Sequence, residues 1–252
     1  MTRVITITSG KGGVGKTTTA INLAAAINHF GKNVILVDAN LTTPNVGLHL
    51  GAPIVPVSLN HVLSGKADVV EAIYEHESGT KVIPSSLSMN GVRKLNQGKL
   101  KDVAKKLKKI ADVVIFDSAA GLGDEAVAAI EAADEIVIVT NPELPAVTDA
   151  LKTYKLVEQM GKKVHGVVVT RVKFHKHEMP LNNVAEMLEL PIIGVVPEDE
   201  RFKHSVVLKD AILHTHPRSR VAREYRKLAA RLLGMENYKE RVRFIDILLR
   251  RY

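Results

Sequence analysis

The sequence predicts an α/β fold, a doubly wound and mostly parallel sheet flanked by helices. Three observations carry that expectation. Short β-branched runs alternate with helical apolar patterns along most of the 252 residues. Several runs are apolar throughout, as strands buried on both faces of a parallel sheet must be. A glycine-rich stretch, Gly10-Lys11-Gly12-Gly13-Val14-Gly15-Lys16-Thr17-Thr18-Thr19, joins the first strand to the first helix.

The elements follow in order. Residues 4–7 alternate Val4, Ile5, Thr6, Ile7 and read as the first strand. Residues 17–30 read as a helix, with Ala20, Leu23, Ala24 and Ile27 sharing a face. Strands are expected at 34–37 and 82–83. A helix over 99–110 presents Leu100, Val103, Ala104, Leu107 and Ile110 as one apolar stripe, with lysines opposite. Then come strand 113–116, helix 123–132, strand 136–139, helix 146–160, strand 164–169, helix 181–188, strand 192–195 and helix 219–233. Such alternation with short connections gives a doubly wound sheet. Gly234 ends the last core helix, so residues 1–234 are expected to form one domain and 235–252 a separate tail.

Composition narrows the classes. A chain 46% apolar is large enough for one sizeable core. It holds no run of about 18 apolar residues, the minimum for a membrane span. Met1-Thr2-Arg3 leads directly into a strand, so a cleaved leader is not expected and a cytoplasmic location is. With no cysteine, disulfides, thiolate zinc sites and iron–sulfur ligation are excluded. The net charge of +8 favours anionic partners: nucleotide, acidic lipid or nucleic acid. The lysines of 99–109 read either as a DNA patch or as a solvated helix face, the latter being the simpler account.

The glycine stretch has the spacing G-x-x-x-x-G-K-T, from Gly10 to Thr17. Strand, glycine turn and helix together form a P-loop. Its glycines let successive N–H groups face one concavity, and the helix aims its positive end there. Lys16 suits β- and γ-phosphates, and the Thr17 hydroxyl suits Mg2+. Polar residues also follow the other strands, where open parallel sheets bind ligands. They are Asp38-Ala39-Asn40, Asp117-Ser118-Ala119-Ala120-Gly121, Thr140-Asn141-Pro142-Glu143, Thr170-Arg171 and Pro197-Glu198-Asp199. Asp117 after four apolar residues is a Walker B carboxylate for Mg2+, and Asp38 is similarly placed.

With Lys11 inside the P-loop, this pattern resembles the MinD-like ATPases of the MinD/ParA class, which carry a deviant Walker A motif. It is closest in pattern to the archaeal members, and the likeness runs from about Thr2 to Gly234. The resemblance implies ATP and Mg2+ as cofactors and a homodimer that closes around ATP. It implies that Lys11 serves the nucleotide of the other subunit. It also places Gly10 through Thr18 on the phosphates, and Asn141, Arg171, Pro197 and Asp199 around the adenine. The catalytic set is then Lys11, Lys16, Asp38 and Asn40, with Thr17, Asp38 and Asp117 for the metal. One departure matters. Asn40 stands where the family often has an aspartate that positions the attacking water. An amide orients water without adding charge, so slow hydrolysis is expected. Ser118-Ala119 also lacks the usual proline, which leaves that loop less stiff.

Residues 238–252 carry no Gly or Pro. As a helix they would place Tyr238, Val242, Ile245, Leu248, Leu249 and Tyr252 on one face, with Phe244 at its edge and basic residues around the rim. That is an interfacial pattern, and MinD proteins resemble it in carrying an amphipathic membrane-targeting helix. The candidate membrane residues are Val242, Phe244, Ile245, Leu248 and Leu249. Packing against the body or a protein partner is the alternative. The expected function is an ATPase that dimerises on ATP, associates reversibly with the inner face of the cell membrane and positions an unidentified partner, cargo or activator. The alternatives are a ParA-like DNA-associated ATPase and a nearly inactive ATP-sensing module. His175-Lys176-His177 and His214-Thr215-His216 read as surface loops before they read as metal ligands.

Overall fold

The computed structural model describes residues 2–88, 96–235 and 238–240. An eight-stranded sheet carries the fold: β1 (Arg3–Ser9), β2 (Val34–Ala39), β3 (Tyr74–Glu75), β4 (Lys81–Ile83), β5 (Val113–Ala120), β6 (Glu135–Thr140), β7 (Lys163–Val172) and β8 (Ile192–Pro197). Its order is β3-β4-β2-β5-β1-β6-β7-β8. Every pairing is parallel except the short β3–β4 edge. The order reverses at β1, so the carboxyl end of β1 opens a crevice where a ligand is expected.

Ten helices connect the strands among the described residues: α1 (Lys16–His29), α2 (Val46–His49), α3 (Leu59–Leu63), α4 (Leu100–Leu107), α5 (Asp124–Ala132), α6 (Leu144–Gln159), α7 (Leu181–Leu188), α8 (Arg201–Val207), α9 (Ile212–Thr215) and α10 (Arg220–Leu232). Two cores form, one on each face of the sheet. Alternation along β1 sends Val4 to the core shared with α4, α5 and α6, while Ile5 and Ile7 join the core beneath α1 and α10. β5, paired on both edges and covered on both faces, is buried from Val113 to Ser118.

The expected strands and long helices are present. The helix expected over 99–110 is shorter. It ends at Leu107, and Ile110, placed on its apolar stripe by the sequence, is 42% exposed. The N–H groups of Lys109 and Ile110 bond to Lys106 and Leu107, three residues back. That tighter turn rotates Ile110 off the buried stripe.

The tail also begins differently from expectation. Tyr238, Lys239 and Glu240 are not helical. The Tyr238 ring meets Phe30, just past α1, edge-on at 5.1 Å. Arg226 of α10 holds Glu240 through Nε at 3.0 Å and Nη2 at 2.6 Å, and also donates to the Pro217 carbonyl. The Tyr238 hydroxyl donates to Glu240 at 2.5 Å. Tyr238 therefore packs on the body. Residues 241–252, with the candidate membrane residues Val242, Phe244, Ile245, Leu248 and Leu249, lie outside the described residues. Burial works against the Glu240 charge, but the bonds from Arg226 and Tyr238 outweigh it and hold the carboxyl below its usual range.

Glu240→Gln is expected to lower unfolding stability by about 1.5–3 kcal/mol at pH 7, the range for hydrogen bonds to a charged group. A depressed carboxyl stabilises above its unfolded value and loses that contribution as pH falls through the folded one. The gap between wild type and variant therefore narrows below about pH 4.5. Urea titrations at several pH values check this, and a constant gap would contradict it.

Candidate functional site

The crevice at the end of β1 is built around the glycine loop. Gly13 and Gly15 hold φ of 80° and 87°, a region that costs other residues strain. Gly10 is constrained differently: a Cβ there would lie 2.1 Å from the Asp149 carbonyl oxygen on α6. The loop thus turns tightly while packed against a neighbouring helix. α1 starts at Lys16 with Gly15 as its N-cap and no acidic residue in its first turn. Its first N–H groups and positive dipole end face the loop's concavity, a phosphate cradle.

Lys16 is buried with its ammonium 3.4 Å from Asp117 Oδ1, and the Thr17 hydroxyl donates to Asp117 Oδ2 at 2.6 Å. Asp38 and Asp117 are register partners on β2 and β5, and both are fully buried. Asp38 accepts the N–H groups of Asn45 and Val46 at 3.0 Å each, and that of Asn40 at 3.3 Å. Burial, reinforced by the Asp117 charge beside it, still pushes Asp38 up to about 8. A hydroxyl and two carboxylates with mutual repulsion form a hard, all-oxygen donor set, which fits Mg2+. Thr17 and Asp117 are placed to hold that ion, with Asp38 beside them.

Asn40 departs from expectation. Its amide nitrogen donates to the Thr43 carbonyl at 2.6 Å, and its oxygen accepts from the Thr43 N–H and hydroxyl at 3.3 and 3.1 Å. Both ends of the side chain are bound within its own loop. A residue the sequence did not single out holds that loop: Glu125 of α5 accepts hydrogen bonds from the N–H groups of Leu41 and Thr42 and from the Thr42 hydroxyl. In the sequence Glu125 reads only as an acid suited to a helix N-terminus.

Of the residues expected around the adenine, Arg171, Pro197 and Asp199 line one cavity of about 230 Å³ together with Thr18 and Phe202. Tyr225 of α10 also lines it, and its hydroxyl lies 3.3 Å from the Thr19 hydroxyl on α1. Asn141 does not line that cavity. It borders an adjoining cleft of about 920 Å³ that shares Arg171, and its amide oxygen accepts from the Thr170 hydroxyl at 2.9 Å. Lys11 is half exposed at the rim, 3.9 Å from Glu143.

Other candidates disperse. Lys101, Lys105, Lys106 and Lys108 pair with Glu131, Asp102, Asp68 and Asp134, so the α4 face is largely neutralised. His214 bonds Asp210 at 2.8 Å and His216 meets His204 at 3.2 Å. Among the described residues no group of three His, Cys, Asp or Glu side chains is arranged to hold a metal ion, and no helix is long and apolar enough to cross a membrane.

Comparison with known proteins places this geometry. Residues 2–168 match the family described as AAA domain. An uncharacterized ATP-binding protein of Methanocaldococcus jannaschii is 38% identical over 234 residues, covering 93% of this chain and 89% of that one. The septum site-determining protein MinD of Thermotoga maritima is 32% identical over 245 residues, with 93% and 89% covered. Among solved structures, the septum site-determining protein MinD of Pyrococcus horikoshii, complexed with Mg-ADP, superposes with a TM-score of 0.89 at 32% identity. That match covers 96% of this chain and all of that one.

Asp38 gives a test of the carboxylate pair. Its raised value means that the folded chain keeps a proton which the unfolded chain releases above about 3.8. Stability from this group is full at low pH and is lost as pH rises toward about 8. Without nucleotide, Asp38→Asn should melt above wild type at pH 8, with the difference shrinking toward pH 4. Thermal denaturation across that range measures it, and parallel curves would contradict the assignment.

Proposed function

We propose, for a chain that belongs to the MinD/ParA family of P-loop ATPases, that it hydrolyses ATP slowly, pairs with a second copy around the nucleotide and associates reversibly with a membrane surface to position a partner protein. The observation that carries the reading is Lys11. Its ammonium stands at the rim, half exposed, with Glu143 at 3.9 Å as its ion-pair partner, while Lys16 takes the buried place beside Asp117. A second cation held outside the cradle is suited to a neighbour's phosphates, where it would stabilise charge on the transferring group.

The steps follow from the site's own groups. The α1 N-terminus and Lys16 bind the phosphates. Thr17 and Asp117, with Asp38 beside them, would hold Mg2+, which would supply charge neutralisation for the phosphates. Arg171, Pro197 and Asp199 hold the base end, and Thr18, in the lining of the same cavity, meets the phosphates beside it. Asn40, tied to Thr43, has to exchange those bonds before its amide can meet a water, which supports slow turnover. Slow turnover prolongs the ATP-bound pair, and pairing brings two tails together. Two weak anchors on one body gain avidity that a single anchor lacks. In this reading residues 241–252 supply the anchor, beyond the fixed point at Glu240. The ion-paired lysines of α4 weigh against the DNA-associated alternative.

Lys11→Ala is expected to bind ADP within about twofold of wild type while ATP hydrolysis falls to background, since a transferred cation of this kind contributes about 10³ or more to turnover. Sedimentation with anionic vesicles should require ATP, Lys11 and residues 241–252 together. Normal hydrolysis by Lys11→Ala as a monomer would overturn the paired site. ATP-dependent sedimentation by the truncated chain would overturn the tail's role.

A further inference from the structure

The loop between β2 and α2 carries Asn40, and two carboxylates tether it from different parts of the fold. Asp38, within the sheet, takes the N–H groups at its far end, Asn45 and Val46. Glu125 takes the near end. Its Oε2 accepts from Leu41 N at 3.0 Å and from Thr42 N at 3.2 Å, and its Oε1 accepts from the Thr42 hydroxyl. Two consecutive N–H groups converging on one oxygen form an anion-accepting nest, and bonds to an ionised acceptor are the stronger kind.

The place of Glu125 gives this contact its meaning. It lies in the first turn of α5, immediately after the loop that follows Asp117. That loop is itself attached to the phosphate cradle, because Gly121 N donates to the Ser9 carbonyl at 2.9 Å. A continuous path therefore runs from the P-loop strand through Gly121 to α5, and from Glu125 to the residues next to Asn40. The helix dipole alone does not account for Glu125. Its neighbour Asp124 also sits in the first turn and touches neither Leu41 nor Thr42.

We propose that Glu125 is a positioning residue that binds the Asn40 loop to the segment following Asp117, so that the two move as one unit when a γ-phosphate enters. This rests on the reading of the site as ATP-hydrolysing. Without the carboxylate, the loop loses its hydrogen bonds to α5 and keeps those to Asp38, its own turn and the packing of Leu41 in the core, so the placement of the Asn40 amide loosens while the phosphate and base contacts remain.

The test uses the full chain and three proteins: wild type, Glu125→Ala and Glu125→Gln. A glutamine keeps the length and can accept the two N–H groups while donating to the Thr42 hydroxyl. For Glu125→Ala, kcat should fall about tenfold, a modest share of what misplacement by an ångström can cost. KM for ATP and affinity for ADP should stay within about twofold, because neither the cradle nor the base cavity is touched. Glu125→Gln should recover most of kcat. Amide hydrogen exchange over residues 40–46 should speed up in Glu125→Ala and return toward wild type in Glu125→Gln. Unchanged exchange in Glu125→Ala would overturn the proposal, as would a loss of ADP affinity in step with kcat. If the wild type binds ATP without turning it over, the hydrolysis reading fails. The exchange comparison, made with and without Mg-ATP, then still decides whether Glu125 holds the loop.

Discussion

Two carboxylates with no exposed surface stand in register on adjacent parallel strands, and the site is organised around that constraint. Asp38 and Asp117 would repel each other strongly as bare charges in such a place. The surrounding groups each answer part of the problem. Lys16 and Thr17 face Asp117, and three backbone N–H groups face Asp38. That is not enough to keep both ionised, so Asp38 is pushed up to about 8. The three N–H groups on Asp38 belong to the same loop that carries Asn40, so any change in the charge of Asp38 is felt there.

The P-loop helix links this centre to the rest of the molecule. Its N-terminus is the cradle. It packs on α10, where Tyr225 lines the cavity of Arg171, Pro197 and Asp199 and meets Thr19 in the first turn of α1. Just past its C-terminus, Phe30 receives the Tyr238 ring, and α10 supplies Arg226 to Glu240. The side chains of that ion pair are only 11% and 9% exposed, so it is shielded from solvent screening. The start of the tail is therefore fixed to the helix pair that also floors the nucleotide site.

Much of this was legible in the residues. The order of strands and helices, the cradle and the acidic strand tips follow from patterns a few residues long: a glycine turn between strand and helix, an apolar run ending in aspartate, apolar residues at helical spacing. Those patterns are local because the chemistry is: a strand tip must present what the strand itself carries. Short elements such as α2, α3 and β3 left no such trace, since two to five residues set no period. Ile110 fitted the helical stripe and yet fell outside the core, because the helix tightened one turn earlier.

Residue identity alone determined the fold class, the phosphate-binding chemistry and the absence of any cysteine chemistry. Tertiary structure decided how the expected groups are used. It set Asn141 in a cleft beside the cavity of Pro197 and Asp199, with Arg171 common to both, turned Asn40 into its own loop, and packed Tyr238 on the body. It also brought Glu125 to Leu41 and Thr42, more than 80 positions away in the chain. Each of these depends on a partner remote in sequence, and the choice between competing hydrogen-bond partners is made only when packing has set their distances.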